Sequence, residues 1–89
     1  MPIDFSPIDF AKIRALTSDE IIRALLADGF FLRKGRGGSH RRYQHPDGRR
    51  VTVAYHGSDT TFVPKTLRSM IEEQAGWSKD DLKRLKLIR

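Results

Sequence analysis

The feature that most constrains this chain is a pair of short alternating runs joined by a tight turn. His40 to His45 puts His40, Arg42 and Gln44 on one side and Arg41, Tyr43 and His45 on the other. Arg49 to Tyr55 puts Val51, Val53 and Tyr55 on one face, with Arg50, Thr52 and Ala54 opposite. Pro46-Asp47-Gly48 between them is a turn signal, because proline presets one central dihedral and glycine accepts a positive one. Phe30 to Lys34 reads as a third strand, separated from His40 by a glycine-rich turn. Strand, glycine turn, strand, tight turn, strand makes an antiparallel meander. Three strands alone bury too little apolar area, so helices must cover one face.

Two amphipathic helices flank the meander. Thr17 and Glu20 form a capping box that opens the first; Ile21, Ile22, Leu25 and Leu26 give it an apolar stripe, and Asp28-Gly29 ends it. The second is expected from Lys65 or Thr66 through Leu67, Met70, Ile71 and Gln74 or Ala75. Gly76 and Trp77 fit a Schellman ending, which makes Trp77 a packing residue. Ser78 caps a short terminal helix carrying Leu82, Leu85 and Leu87, and Ser6-Pro7 is expected to cap another through Ile8, Ala11 and Ala15. The apolar residues Ile3, Phe5, Ile8, Phe10, Ile13 and Leu16 are too many for a disordered tail and are expected to pack on the body. The fold class is therefore α+β: an α-β-β-β-α order like a double-stranded-RNA-binding domain, with two helices on one sheet face and short extra helices at both ends.

With 89 residues the chain is read as one domain. It has no cysteine, which excludes disulfides and thiolate metal sites and suits a reducing compartment. No stretch approaches the ~20 apolar residues of a membrane span, and no secretory leader pattern opens the chain; a soluble, cytoplasmic protein with no membrane association is expected.

Charge is where the sequence turns towards function. The net charge is +6, from 17 basic and 11 acidic residues. Arg33 to Arg50 holds seven of the basic residues against the single acid Asp47, so the remainder balances at ten against ten. The excess is a local patch, the footprint of a nucleic-acid surface. Within it, Arg33, Lys34, Arg36, Gly37, Gly38, Ser39, Arg41, Arg42, Arg49 and Arg50 are the candidate RNA-binding residues: arginine and lysine neutralise phosphate, and glycine lets backbone N–H groups approach it without an intervening Cβ.

His40 is the candidate catalytic residue. An imidazole with an ordinary pKa near ~6.5 can take the proton of a ribose 2′-hydroxyl or give one to a departing 5′-oxygen. Neighbouring arginines can balance the charge growing on the phosphorane oxygens. Ser39 is not expected to be a nucleophile activated by His40, since adjacent strand residues point to opposite faces. A zinc site from His40, His45 and His56 lacks ligand spacing, and no carboxylate cluster sits by the patch to hold magnesium. No metal or other cofactor is expected. Two other readings share the same residues: a non-catalytic module that recognises A-form RNA through the patch, and an interaction protein that docks an acidic partner.

The run from Gly38 to His56, GSHRRYQHPDGRRVTVAYH, followed by TLRSMIEEQAGWSKDDL from Thr66 to Leu82, resembles the HicA toxin family of bacterial and archaeal toxin-antitoxin systems. The Gly-Ser-His element, His56-Gly57 and the Thr66-Leu67-Arg68 helix start occur in the family's order. Ala54 and Lys65 depart from it, standing where proline and glycine are usual. The resemblance implies an mRNA interferase: a metal-independent endoribonuclease that cleaves mRNA and inhibits translation. It also implies His40 as catalytic residue, a HicB-type antitoxin as partner, residues 1–16 as an N-terminal extension, and 17–89 as the RNA-cleaving domain.

Overall fold

The computed structural model describes residues 8–10, 13, 16–34, 39–57 and 59–88. Helix α1 spans Ser18–Ala27, strands β1 Phe31–Lys34, β2 His40–Gln44 and β3 Arg50–Ala54, helix α2 Pro64–Arg68, and helix α3 Lys79–Arg84. The strands form one antiparallel sheet in the order β1-β2-β3. Tyr43 faces Val51 and Arg41 faces Val53 across the β2-β3 pair, so the expected alternation holds in register.

The core lies on one side of this sheet. Tyr43, Val51 and Val53 are buried against Ile21, Ile22 and Leu25 of α1 and against Leu67, Met70 and Ile71 of the second helical stretch. The α1 capping box forms as the sequence predicts: Glu20 N–H donates to Thr17 Oγ1, and Thr17 N–H donates to Glu20 Oε1. Ser18 beside it is fully buried and donates its hydroxyl to Gly57 O at 2.7 Å, which ties the loop after β3 to the start of α1.

Two boundaries depart from expectation. The second helix begins at Pro64, one residue earlier than its first candidate start, because proline's fixed φ and missing N–H suit the first helical position. It then does not stay α-helical: Ser69–Gln74 is wound as a π-helical segment, closed by Ala75 N–H donating to Met70 O at 2.8 Å. This wide turn coincides with Gln74 lying against β3, where its side-chain oxygen accepts Thr52 N–H at 2.9 Å. A tertiary bond of this kind is invisible to helical periodicity.

The three helical stretches among the described residues end alike. Gly29 at φ 98° is followed by buried Phe30, Gly76 at φ 68° by buried Trp77, and Lys86 at φ 62° by buried Leu87. Each apolar residue folds back: Phe30 N–H reaches Leu25 O, Trp77 N–H reaches Ile71 O, and Leu87 N–H reaches Leu82 O. The terminal helix therefore stops at Arg84, and Leu87, expected to continue it, closes it instead. In the N-terminal stretch, Ile8, Phe10 and Leu16 pack into the core as predicted. The short helix expected from Ser6-Pro7 falls mainly outside the described residues, and Ile8 to Phe10 are not helical. Among the described residues no helix is long and apolar enough to cross a membrane.

Asp28 joins these endings. Its carboxylate, 12% exposed, accepts Trp77 Nε1–H at 2.9 Å, Arg84 Nη2–H at 2.8 Å and Arg49 Nη1–H at 3.3 Å. Burial alone would raise its pKa, but the hydrogen bonds from Trp77 and Arg84 and the charges of Arg84 and Arg49 outweigh burial and lower it. A depressed carboxyl stabilises the fold fully above the unfolded value, near 3.8, and that stabilisation is lost as pH falls through the lower folded value. Urea titrations should show Asp28→Asn costing about 2 kcal/mol at neutral pH. The same variant should lose less stability than the parent on acidification below about pH 4.

Candidate functional site

Among the described residues, nothing covers the face of the sheet away from the helices. Cross-strand pairing puts His40 beside Ala54, Arg42 between Lys34 and Thr52, and Gln44 between Phe31 and Arg50. Lys34, His40, Arg42, Arg50 and Thr52 are all exposed. The three strands contain no acidic residue, so nothing on this surface neutralises its cations from within. Arg33, displaced by the irregular register between Leu32 and Lys34, turns its guanidinium onto the Gln44 side chain and donates to Oε1. That bond fixes one cation above the sheet at the β1 side of the patch.

His40 stands at the first position of β2. Its Nδ1 lies 3.3 Å from Ser39 Oγ, within hydrogen-bonding reach. Strand alternation predicts that His40 does not activate Ser39 as a nucleophile, and this contact is a side-chain hydrogen bond whose direction depends on the His40 tautomer. Ser39 sits in the bend just before β2, with its carbonyl still accepting Tyr55 N–H at 2.6 Å. The contact orients the ring and leaves Nε2 without a partner among the described residues. Such an imidazole can exchange protons with a bound molecule through Nε2 while Nδ1 stays tied to the protein.

Two of the expected basic residues are elsewhere. Arg41 lies on the helix-facing side, its guanidinium 3.6 Å above the Tyr55 ring and its Nε buried without a partner. Arg49 lies in the turn region beyond the strand, where its charge is consumed by structure. It donates Nε–H to Asp47 at 2.7 Å and Nη1–H to Ala75 O at 2.6 Å as well as to Asp28, over the face of Phe30. Arg36, Gly37 and Gly38 lie outside the described residues. The open face thus brings together Arg33, Lys34, His40, Arg42 and Arg50, with Ser39 at its end.

The histidines are separated as well. His45 Nδ1 accepts Asp47 N–H at 3.1 Å, which leaves the ring proton on Nε2, 2.9 Å from Asp28 O. Its ring packs edge-on to Phe30, so His45 belongs to the cluster around Asp28. Asp47, next to it, has a lowered pKa from the Arg49 backbone N–H and the Arg49 guanidinium, which outweigh desolvation. Among the described residues no group of three His, Cys, Asp or Glu side chains is arranged to hold a metal.

Comparison with known protein families adds one finding. Residues 18–77 match the family described as HicA toxin of bacterial toxin-antitoxin. The matched region runs from the start of α1 to Trp77 and includes the whole sheet and the Gly38-Ser39-His40 element. No curated protein matches the chain.

Arg49 and Arg42 should behave oppositely on substitution. Chemical denaturation should find Arg49→Ala less stable by about 2 kcal/mol, since it strips donors from Asp28 and Ala75. Arg42→Ala should change stability by less than about 0.5 kcal/mol, as expected for an exposed side chain free of such a cluster.

Proposed function

Because the chain belongs to the HicA toxin family of toxin-antitoxin systems, we propose that it is an endoribonuclease of the mRNA-interferase kind, acting in the cytoplasm on mRNA and held in check by a HicB-type antitoxin. The observation that carries this reading is His40: an exposed imidazole, tied at Nδ1 to Ser39, at the end of a sheet face whose charged side chains are all basic. Residues 17–89 form the RNA-cleaving domain in this reading, and 1–16 an extension to it.

The chemistry is transesterification. The ribose 2′-oxygen attacks the adjacent phosphorus, the bond from phosphorus to the 5′-oxygen breaks, and the products are a 2′,3′-cyclic phosphate and a 5′-hydroxyl. With Nδ1–H donating to Ser39 Oγ, His40 Nε2 is bare and accepts the 2′-hydroxyl proton. With the Ser39 hydroxyl donating to Nδ1, Nε2 carries the proton that the departing 5′-oxygen requires. The proton balance closes in either tautomer through this one nitrogen or the solvent.

Arg42, Lys34, Arg33 and Arg50 line the path that a phosphate backbone would follow across the sheet. Their positive charge favours the dianionic phosphorane over the monoanionic ground state, which is the differential binding that accelerates a reaction. Gly37, Gly38 and Ser39 are proposed to bring backbone N–H groups to the same phosphate, and Arg36 to add its charge. Arg41 and Arg49 hold this surface in place from behind and from the side.

His40→Ala should reduce RNA cleavage by at least about a hundredfold while leaving RNA binding in place. Arg42→Ala should weaken binding and lower the slope of affinity against salt by about one charge. Cleavage should persist in EDTA. Undiminished cleavage by purified, folded His40→Ala protein overturns the assignment.

A further inference from the structure

A three-stranded sheet has two edges, each with a row of backbone groups that no strand pairs. In this protein the two edges are treated differently. At β3 the edge is occupied: Gln74 takes the outward Thr52 N–H, and the π-helical segment packs alongside. At β1 it is open.

The ladder identifies which β1 groups face outwards. Tyr55 N–H donates to Ser39 O and His45 N–H donates to Arg49 O, so the odd-numbered residues of β2 bond towards β3. Arg42 and Gln44 therefore bond towards β1, with Phe31 opposite Gln44. By the same alternation Leu32 turns its N–H and C=O away from the sheet. Around this free peptide group the side chains are apolar on both faces: Phe31, on the open face, is 48% exposed, and Leu32, on the helix side, is 38% exposed. Leu26, in the last turn of α1, is 53% exposed. The strand continues into Arg33 and Lys34.

We propose that the free edge of β1 is the docking site for an extended strand of a protein partner, one that alternates apolar with acidic side chains. The proposal rests on the toxin-antitoxin reading, which makes that partner the antitoxin. Charge selects the occupant. A second copy of this chain would crowd two sets of Arg33 and Lys34 onto one short ladder, in a protein already at +6. An acidic strand gains from the same two cations, and its backbone meets Leu32 N–H and C=O at ladder spacing.

The experiment uses the full chain and the protein encoded beside its gene as antitoxin, with hydrogen exchange and binding read on the same samples. In the free protein the Leu32 amide should exchange fast and the Thr52 amide slowly. On complex formation Leu32 should slow at least about tenfold. Leu32→Pro, which deletes an outward N–H that β2 does not use, should weaken antitoxin binding about a hundredfold with RNA cleavage retained. Leu32→Glu keeps the N–H but places a negative charge against the acidic strand; it should also weaken binding, and it covers the case in which the proline variant misfolds. Binding by the wild-type chain with Leu32 exchange unchanged, no binding at all, or wild-type affinity in the folded variants would each overturn the proposal. Loss of RNA binding with antitoxin affinity intact would assign the edge to RNA and overturn it too. Wild-type protein that binds antitoxin through Leu32 yet cleaves no RNA would sink the nuclease reading and leave this docking site standing.

Discussion

A single half-buried carboxylate, Asp28, holds the molecule in register. It sits at the C-terminus of α1, where the partial negative charge of the helix end should repel it. Its position is stable because three donors converge on it from three other parts of the chain: Trp77 after the π-helical segment, Arg84 in α3 and Arg49 beside the β2-β3 turn. Its backbone carbonyl adds a fourth link, to His45. Removing the charge would leave two arginines without their shared counter-ion, and the helix ends would lose their common tie to the hairpin.

This concentration of polar structure at one end of the sheet has a consequence at the other. Arg49 and His45, which by type could belong to a nucleic-acid surface, are absorbed by the Asp28 cluster. His40 and Arg42 share no such cluster, and with Lys34 and Arg50 they leave a basic face to solvent. Among the described residues no helix covers the open face, because α1 and the π-helical segment both pack on the side where Tyr43, Val51 and Val53 are buried. Scaffold and candidate site therefore occupy opposite sides of three short strands.

Much of this is legible in the sequence. Alternation in His40 to His45 and Arg49 to Tyr55 assigned the right residues to each face, and the Thr17-Glu20 capping box and the Gly29 and Gly76 endings were located by local chemistry alone. What escaped was long-range or exceptional. Seven basic residues between Arg33 and Arg50 look alike in sequence, and only the fold distinguishes Arg49, bonded across 21 and 26 residues to Asp28 and Ala75, from exposed Arg42. The π-helical winding at Ser69–Gln74 leaves no periodic signature, since its use lies in the bond from Gln74 to β3. The Ser39-His40 contact is a local side-chain bond between adjacent residues, which strand alternation does not describe.

In the proposed function, one imidazole on a basic sheet face assists attack by a ribose 2′-oxygen. The most direct measurement is cleavage, in EDTA, of a short RNA against the same RNA carrying a single 2′-deoxyribose at the cleaved position. The first RNA should give 2′,3′-cyclic phosphate and 5′-hydroxyl ends, and the second should not be cut at that position. Cleavage at the deoxyribose, or products ending in 5′-phosphate, would contradict the proposed function.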